Sequence, residues 1–142
     1  MGNNPLSAYH FIVQWGGTKL GFSEVSGLNI EHQVVEYREG SSPESKSIKM
    51  PGMIKYSNIT LKRGIVKNDN EFIDWMNTIN MNTVERRDIK ISLLNEAHEP
   101  IISWLVKNAW PAKYSGPILN ANANEVAMES LELAHEGLSV VK

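Results

Sequence analysis

Residues Met53 to Arg63 read Met-Ile-Lys-Tyr-Ser-Asn-Ile-Thr-Leu-Lys-Arg, and the order of apolar side chains in this stretch decides the fold class. Alternation at every second residue is typical of a β-strand, because successive side chains point to opposite faces. Ile54 and Tyr56 share one parity, whereas Ile59 and Leu61 share the other. A shift by one residue indicates a β-bulge or a strand that turns a corner between two sheets.

The same shift of phase recurs near the C-terminus. Val126 and Met128 are even-numbered, whereas Leu131 and Leu133 are odd-numbered. Two such shifts favour a closed or sandwiched β structure over a flat sheet. We therefore predict a mainly β fold that is closed or sandwiched.

Further strands are predicted from alternation and from the turn residues between them. Tyr9 to Trp15 and Thr18 to Val25 flank Gly16-Gly17, a pair that suits a two-residue hairpin turn. Additional strands are predicted at Leu28 to Arg38, Arg87 to Leu94, Ile101 to Trp110 and Glu125 to Glu136.

Residues 68 to 80 follow the period of a helix. Their apolar positions are spaced i, i+3, i+4 and i+7, at Phe72, Trp75, Met76 and Ile79. Asn68 with Glu71 three residues later resembles a capping box. We expect one α-helix over about residues 68–80, flanking the β structure and burying Trp75 in the core.

The whole chain of 142 residues is predicted to form a single domain, residues 1–142. Glycine, serine, proline and charged residues dominate the stretch after residue 38, so an exposed loop is expected at about residues 39–51. The net charge of −2 argues against nucleic-acid binding through a basic surface. With no signal-like N-terminus and no apolar run of about 20 residues, the chain is expected to be made in the cytoplasm.

The residues that could carry chemistry do not form a recognisable active site. The four histidines, His10, His32, His98 and His135, lack the spacing of metal ligands. Glu96, His98 and Glu99 crowd one polar turn between strands, and the basic pairs Lys62-Arg63 and Arg86-Arg87 are interpreted as solvated strand ends. We therefore predict no metal, no cofactor and no enzymatic activity.

The strands at Leu28 to Arg38 and Met53 to Arg63 carry apolar residues on both parities. A small domain with one wet face does not need so many, and an unpaired strand edge invites pairing with another chain. Pairing with further copies would cover both edges and faces, and closure into a ring would leave no edge.

The chain resembles a known family, the inner tube proteins of contractile phage tails and of related phage-tail-like injection systems. The resemblance runs over nearly the whole chain in a consistent order. Its segments are Phe22 to Leu28, Glu36 to Gly40, Lys49 to Gly52, Ile59 to Gly64, Phe72 to Trp75, Asn108 to Pro111, Tyr114 to Pro117 and Glu129 to Leu138.

The resemblance implies a tail-tube-like fold, a two-sheet β-barrel or sandwich with one flanking α-helix. It also implies hexameric rings that stack into a hollow tube, which contraction of a surrounding sheath drives through a target envelope to deliver cargo. A hairpin built from Leu28 to Arg38 and Met53 to Arg63 would line the channel, with Glu31 and Gln33 as candidate lumen residues. Contacts between subunits or rings are expected at Tyr37, Arg38, Glu39, Gly40, Lys49, Met50, Pro51 and Gly52.

The implied partners are further copies of the chain, a sheath protein, baseplate or hub proteins and tube-terminating proteins, with protein or DNA as possible luminal cargo. The assembled tube would belong to a phage tail or to a released or cell-anchored injection particle. Two alternatives stay open: a secretion-system tube protein released as a free ring that carries effectors, and a β-barrel that binds a small ligand at its mouth.

Overall fold

The computed structural model describes residues 6, 8, 10–16, 21–38, 40, 47–122 and 124–142. Within them the chain forms nine strands and one short helix. In chain order the elements are β1 (Phe11–Gln14), β2 (Phe22–Ser26), β3 (Ile30–Tyr37), β4 (Ile48–Tyr56), β5 (Ile59–Gly64), α1 (Glu71–Met76), β6 (Arg87–Leu94), β7 (Pro100–Ser115), β8 (Met128–Ala134) and β9 (Gly137–Val141).

The strands form two separate sheets. Seven strands follow the order β1-β6-β7-β8-β5-β2, with β9 also paired to β7, and β3 and β4 form a two-stranded sheet of their own. The first part of β7 pairs with β6 and β9, and its last part pairs with β8. The prediction of a mainly β, two-sheet fold with one helix is confirmed, but the described strands do not close into a barrel.

The core contains buried residues of β1, β5, β6, β7, β8 and β9, which pack with Phe72 and Trp75 of α1. In β5 the buried side chains alternate with partly exposed ones, and in β8 the same alternation places Leu131 and Leu133 in the interior. The Trp15 ring packs edge-on against Phe72, with 5.2 Å between ring centroids. Trp75 is buried from the helix side, as its position in the helical period predicts.

A charged side chain also lies in this core. Arg63 is only 2% exposed, and its guanidinium contacts Asp69 at 3.1 Å and Glu129 at 3.0 Å. The guanidinium carbon also lies 4.1 Å from the centroid of the Phe72 ring. Tyr114 donates its hydroxyl to Glu129 at 2.9 Å. The interpretation of Arg63 as a solvated strand end is wrong, because two carboxylates and a ring compensate its burial.

The helix is shorter than predicted. It spans Glu71–Met76, and Asn68 lies before it in the left-handed region at φ 66°, so Asn68 does not cap it. An Asp69 carboxylate oxygen accepts the Glu71 backbone N–H instead, at 3.2 Å. The C-terminal end tightens because the Thr78 N–H and hydroxyl both bond to the Trp75 carbonyl.

The phase shift at Met53 to Arg63 marks a change of sheet. β4 ends at Tyr56, β5 begins at Ile59, and the two strands belong to different sheets. The predicted corner is therefore present, although Met53 to Arg63 is two strands and not one. The bulge or corner predicted from the second shift is wrong, because Val126 is 75% exposed and lies outside β8.

Two other expectations differ from the structure. The hairpin predicted around Gly16-Gly17 would pair β1 with β2, but β1 pairs with β6 and β2 pairs with β5. Gly17 and residues 18–20 lie outside the described residues. β7 continues through Pro111 to Ser115, because a register shift between Pro111 and Lys113 accommodates the missing N–H. No helix in the described part of the chain is long and apolar enough to cross a bilayer.

Candidate assembly surface

The hairpin formed by β3 and β4 is the most exposed ordered part of the structure. All eight residues of β3 are exposed, and only the half-buried Gly52 and Tyr56 interrupt the exposure of β4. Its exposed apolar residues are Ile30, Val34, Val35, Tyr37, Ile48, Met50, Met53 and Ile54. So many exposed apolar side chains on one hairpin mark an interaction site.

Each strand of the hairpin also has an unpaired edge. β3 pairs only with β4, and no third strand adjoins either of them among the described residues. Each outer edge therefore presents backbone N–H and C=O groups that a further strand can pair with.

The apolar side of the hairpin changes face halfway along its length. Near the body, the cross-strand pair Ile30 and Tyr56 lies on one face and the pair Glu31 and Lys55 on the other. Toward the tip the arrangement is reversed. Glu36 and Lys49 pair on the face of Ile30, while Val35 with Met50 and Tyr37 with Ile48 pair on the face of Glu31. The base and the tip of the hairpin therefore present apolar surface in opposite directions.

A β-bulge lies at this change of face. Between the pairs His32–Ile54 and Val34–Pro51, β3 contributes one residue and β4 contributes two, Gly52 and Met53. An added Cβ at Gly52 would come within 2.9 Å of a methyl carbon of Val35. Glycine therefore keeps the two strands close where the bulge increases their twist.

The predicted contact and lumen residues fall in this hairpin. Glu31, Gln33, Tyr37, Lys49, Met50, Pro51 and Gly52 lie in β3 or β4, and Arg38 and Gly40 follow β3 in exposed positions. Glu39 lies outside the described residues, as do residues 41–46. Because β4 begins at Ile48, the last residues of the loop predicted at 39–51 belong to a strand. The predicted partner of β3 was the strand Met53 to Arg63, whereas the observed partner is Ile48–Tyr56.

A second exposed apolar surface lies in the connection between β7 and β8. Ile118 is 96% exposed and Leu119 is 85% exposed, and the connection borders a concavity of about 640 Å³ next to Lys62 and Ser130. Sequence reasoning missed these residues. The signal that was available is an adjacent apolar pair between Pro117 and Asn120, where polar residues are the rule.

Of the residues that could carry chemistry, His10 and His98 come together, with 5.1 Å between their ring centroids. His98 and Glu99 lie at the exposed tip of the β6–β7 hairpin, where Asn95 organises the turn through hydrogen bonds to Ala97 and Glu99. Among the described residues no group of three or more histidines and carboxylates could hold a metal ion. A concavity of about 570 Å³ beside Tyr56 and Leu138 has a mainly apolar lining.

Solved structures of contractile injection systems share this fold. A chain of the PVC sheath–tube complex of an extracellular contractile injection system, in the extended state, is 37% identical with a TM-score of 0.90, over 98% of this chain and 93% of that chain. A chain of the PVC sheath/tube terminator is 36% identical with a TM-score of 0.92 over the full length of both chains. The anti-feeding prophage cap gives 37% identity and a TM-score of 0.90, over 98% and 92%. The fold and the surface thus define a tail tube-like protein of contractile injection systems.

The family profile of the T4-like virus tail tube protein gp19 matches residues 7–139. The chain belongs to this family. The structure of Hcp1 from Flavobacterium johnsoniae, at 14% identity and a TM-score of 0.57 over 92% of this chain and 93% of that chain, shares the fold alone. No curated protein sequence matches the chain.

Proposed function

We propose that this chain is the subunit of the inner tube of a contractile injection machine, and that six copies form a ring that stacks with further rings into a hollow conduit. The observation that carries the proposal is the β3–β4 hairpin, which has apolar residues on both faces and open strand edges. Copies of the same chain satisfy both needs together, because strand addition supplies the edge bonds and neighbouring bodies cover the faces.

The two halves of the hairpin would have different roles, because the apolar side changes face between them. At the base, Glu31 and Gln33 lie opposite the face of Ile30, so they would face the lumen while Ile30 packs on protein. At the tip, the apolar face carries Tyr37 and Met50 and would contact an adjacent subunit or ring. Further contacts with a subunit or ring are proposed at Arg38, Glu39, Gly40, Lys49, Pro51 and Gly52, of which Lys49 and Pro51 lie on the opposite face of the tip.

The tube would act mechanically and without catalysis. A sheath would supply the energy of contraction, and the tube would remain a rigid conduit that passes through the target envelope and delivers protein or DNA. Rigidity follows if backbone hydrogen bonds run across subunits, since each is worth about 0.5–1.5 kcal/mol and a ring contains many. The sheath–tube, terminator and cap assemblies of the similar structures support a sheath and a terminating protein as partners, and a baseplate or hub protein is proposed as a further partner. Assembly would take place in the bacterial cytoplasm, before the tube joins a phage tail or an injection particle.

A pair of methionine substitutions tests the role of the hairpin. Met53 lies in the hairpin and is 75% exposed, and Met81 lies beyond the helix and is 95% exposed. We expect Met53→Glu to fold like the parent and to remain unassembled where the parent forms rings or tubes, because a charge at the subunit contact is not compensated. The matched control Met81→Glu should assemble like the parent. Negative-stain electron microscopy and sedimentation velocity measure both outcomes.

The same experiment separates the alternatives. Stacked tubes from the parent support the proposal, whereas discrete rings that never stack favour the free-ring secretion protein. A parent that stays monomeric at high concentration and binds a small molecule saturably would favour the ligand-binding β protein. Assembly of Met53→Glu at the parent's concentration would remove the hairpin from the proposed contact.

A further inference from the structure

The hairpin and the β2–β5 pair of the body keep the same spacing of paired residues across the break between the two sheets. Ser26 and Thr60 form the last pair of β2 with β5, and Ile30 and Tyr56 form the first pair of the hairpin. Three residues lie between these pairs on each strand. The hairpin is therefore a continuation of the β2–β5 ladder, bent at residues 27–29 and 57–58, a segment that we call the elbow.

Gly27 allows this bend. Its φ is 90°, and a Cβ at this position would lie 2.1 Å from the backbone oxygen of Asn58, so no side chain fits. The Gly27 carbonyl accepts hydrogen bonds from the Asn29 N–H at 2.8 Å and from the Ser57 hydroxyl at 3.1 Å. Both strands of the elbow are thus tied to the same carbonyl group.

The end of β8 fastens the elbow to the body. The ladder of β5 with β8 ends at the pair Ile59 and Leu133. Beyond this pair the Ser57 carbonyl accepts a hydrogen bond from Nε2 of His135, at 3.0 Å. A histidine side chain therefore supplies the donor at the point where the backbone ladder stops.

A second side chain of β8 acts beside it. The Asn58 amide nitrogen donates to a Glu132 carboxylate oxygen at 3.3 Å. Glu132 and His135 therefore each bind one of the two residues that separate β4 from β5. Neither contact belongs to the hydrophobic core, so their role is at the elbow itself.

Two contacts hold the His135 ring in this position. It packs on Tyr56 with 5.4 Å between ring centroids, and the carbonyl of Ser57 requires that Nε2 carry the proton. Nδ1 is buried and has no hydrogen-bond partner among the described residues. Among the described residues the ring therefore makes its hydrogen bond through Nε2 alone.

We propose that His135 is a positioning residue for assembly, which holds the hairpin at the angle required to dock on a neighbouring copy. This inference rests on the proposed function, since it gives the hairpin an assembly role. A hairpin held at one angle loses less conformational freedom when it docks than a hairpin that swings about the elbow. Glu132 supports the same angle through Asn58.

Two substitutions at one position test this role. His135→Phe keeps a ring against Tyr56 and removes the donor to Ser57, whereas His135→Gln keeps an N–H donor. We expect His135→Phe to raise the protein concentration at which tubes first form about tenfold, the equivalent of one lost hydrogen bond per subunit, and His135→Gln to stay within about twofold of the parent. Light scattering and electron microscopy measure this concentration.

A distance measurement on the unassembled chain separates positioning from a general loss of stability. The chain has no cysteine, so spin labels at Glu36→Cys in the hairpin and Glu96→Cys in the body form a unique pair. Double electron–electron resonance should give a narrow distance distribution for the parent and for His135→Gln, and a broad one for His135→Phe. Equal distributions in all three proteins overturn the proposal.

The two proposals fail in different ways. A parent that never assembles removes the proposed function, while the distance distribution still decides whether His135 fixes the elbow. A parent and a His135→Phe variant that assemble at the same concentration overturn the assembly role of His135. If His135→Phe does not fold, Asn58→Ala removes the neighbouring bond to Glu132, and it should broaden the distribution and raise the assembly concentration in the same direction.

Discussion

The body pair β5–β8 and the hairpin pair β3–β4 are both antiparallel ladders, yet they lie in opposite environments. β5 and β8 have β2 and β7 on their outer sides, and their apolar residues are buried on one face. β3 and β4 have no such neighbours among the described residues, and their apolar residues are exposed on both faces. The difference teaches that the chain covers both sides of β5 and β8 with its own strands, whereas among the described residues the outer edges of β3 and β4 stay unpaired. We therefore expect the stability of the isolated subunit to depend on the body, and the proposed assembly to depend on the hairpin.

The largest effect on this comparison is expected from the buried arginine of the body. Arg63→Leu leaves the carboxylates of Asp69 and Glu129 in the interior without their cation. We expect the free energy of unfolding to fall by about 3–5 kcal/mol, as for other buried pairs that lose one partner. Urea denaturation of the unassembled subunit measures the change.

The exposed Arg86 provides the matched control for this substitution. Arg86→Leu should change the free energy of unfolding by less than about 0.5 kcal/mol, because it removes no buried contact. A similar small change for Arg63→Leu would contradict the stabilising role of the buried cluster.

A second pair of substitutions compares the two ladders directly. Leu131 of β8 is fully buried, whereas Met53 of β4 is 75% exposed. We expect Leu131→Ala to lower the free energy of unfolding by about 2–5 kcal/mol, since it leaves a cavity in the core. Met53→Ala should lower it by less than about 0.5 kcal/mol in the unassembled subunit. Equal losses would mean that the hairpin contributes to the core of a single chain.

Local patterns in the sequence predict the body better than its connections. Residues Arg87 to Leu94 form a strand with the predicted bounds, and the phase shift between Tyr56 and Ile59 marks a real change of sheet. Alternation reports which residues share a face, so it finds strands and corners. It does not report which strands pair, and for that reason the hairpin expected at Gly16-Gly17 is wrong.

The candidate site was predictable in outline from the same patterns. Apolar residues on both parities of β3 indicated an unfinished sheet, and the structure exposes them. The buried Arg63 and the contact of His135 with the elbow were not predictable, because both depend on residues distant in sequence. Arg63 and Glu129 are 66 residues apart in the chain, and no local spacing indicates such a pair.

The smallest expected effect concerns the phenol of Tyr114, at the edge of the buried cluster. The pH dependence of the free energy of unfolding distinguishes the loss of its hydrogen bond from the loss of its packing. Burial raises the pKa of Tyr114, and the hydrogen bond to Glu129 and the charge of that carboxylate raise it further, whereas Arg63 opposes the rise. The folded state therefore favours the protonated phenol. Its contribution is complete below the pKa of the unfolded chain, about 10, and is lost as pH rises through the folded value.

Tyr114→Phe should therefore be less stable than the parent by about 0.5–1.5 kcal/mol at pH 8, and the difference should shrink as the pH rises above about 10. Urea midpoints of both proteins across this range measure it, and ionisation of other groups cancels in the comparison. Tyr37→Phe in the exposed hairpin is the control for loss of a hydroxyl outside the body. A difference in stability for Tyr114→Phe that stays constant with pH would mean that the hydroxyl contributes through packing alone. The hydrogen bond to Glu129 would then not contribute to the stability of the body.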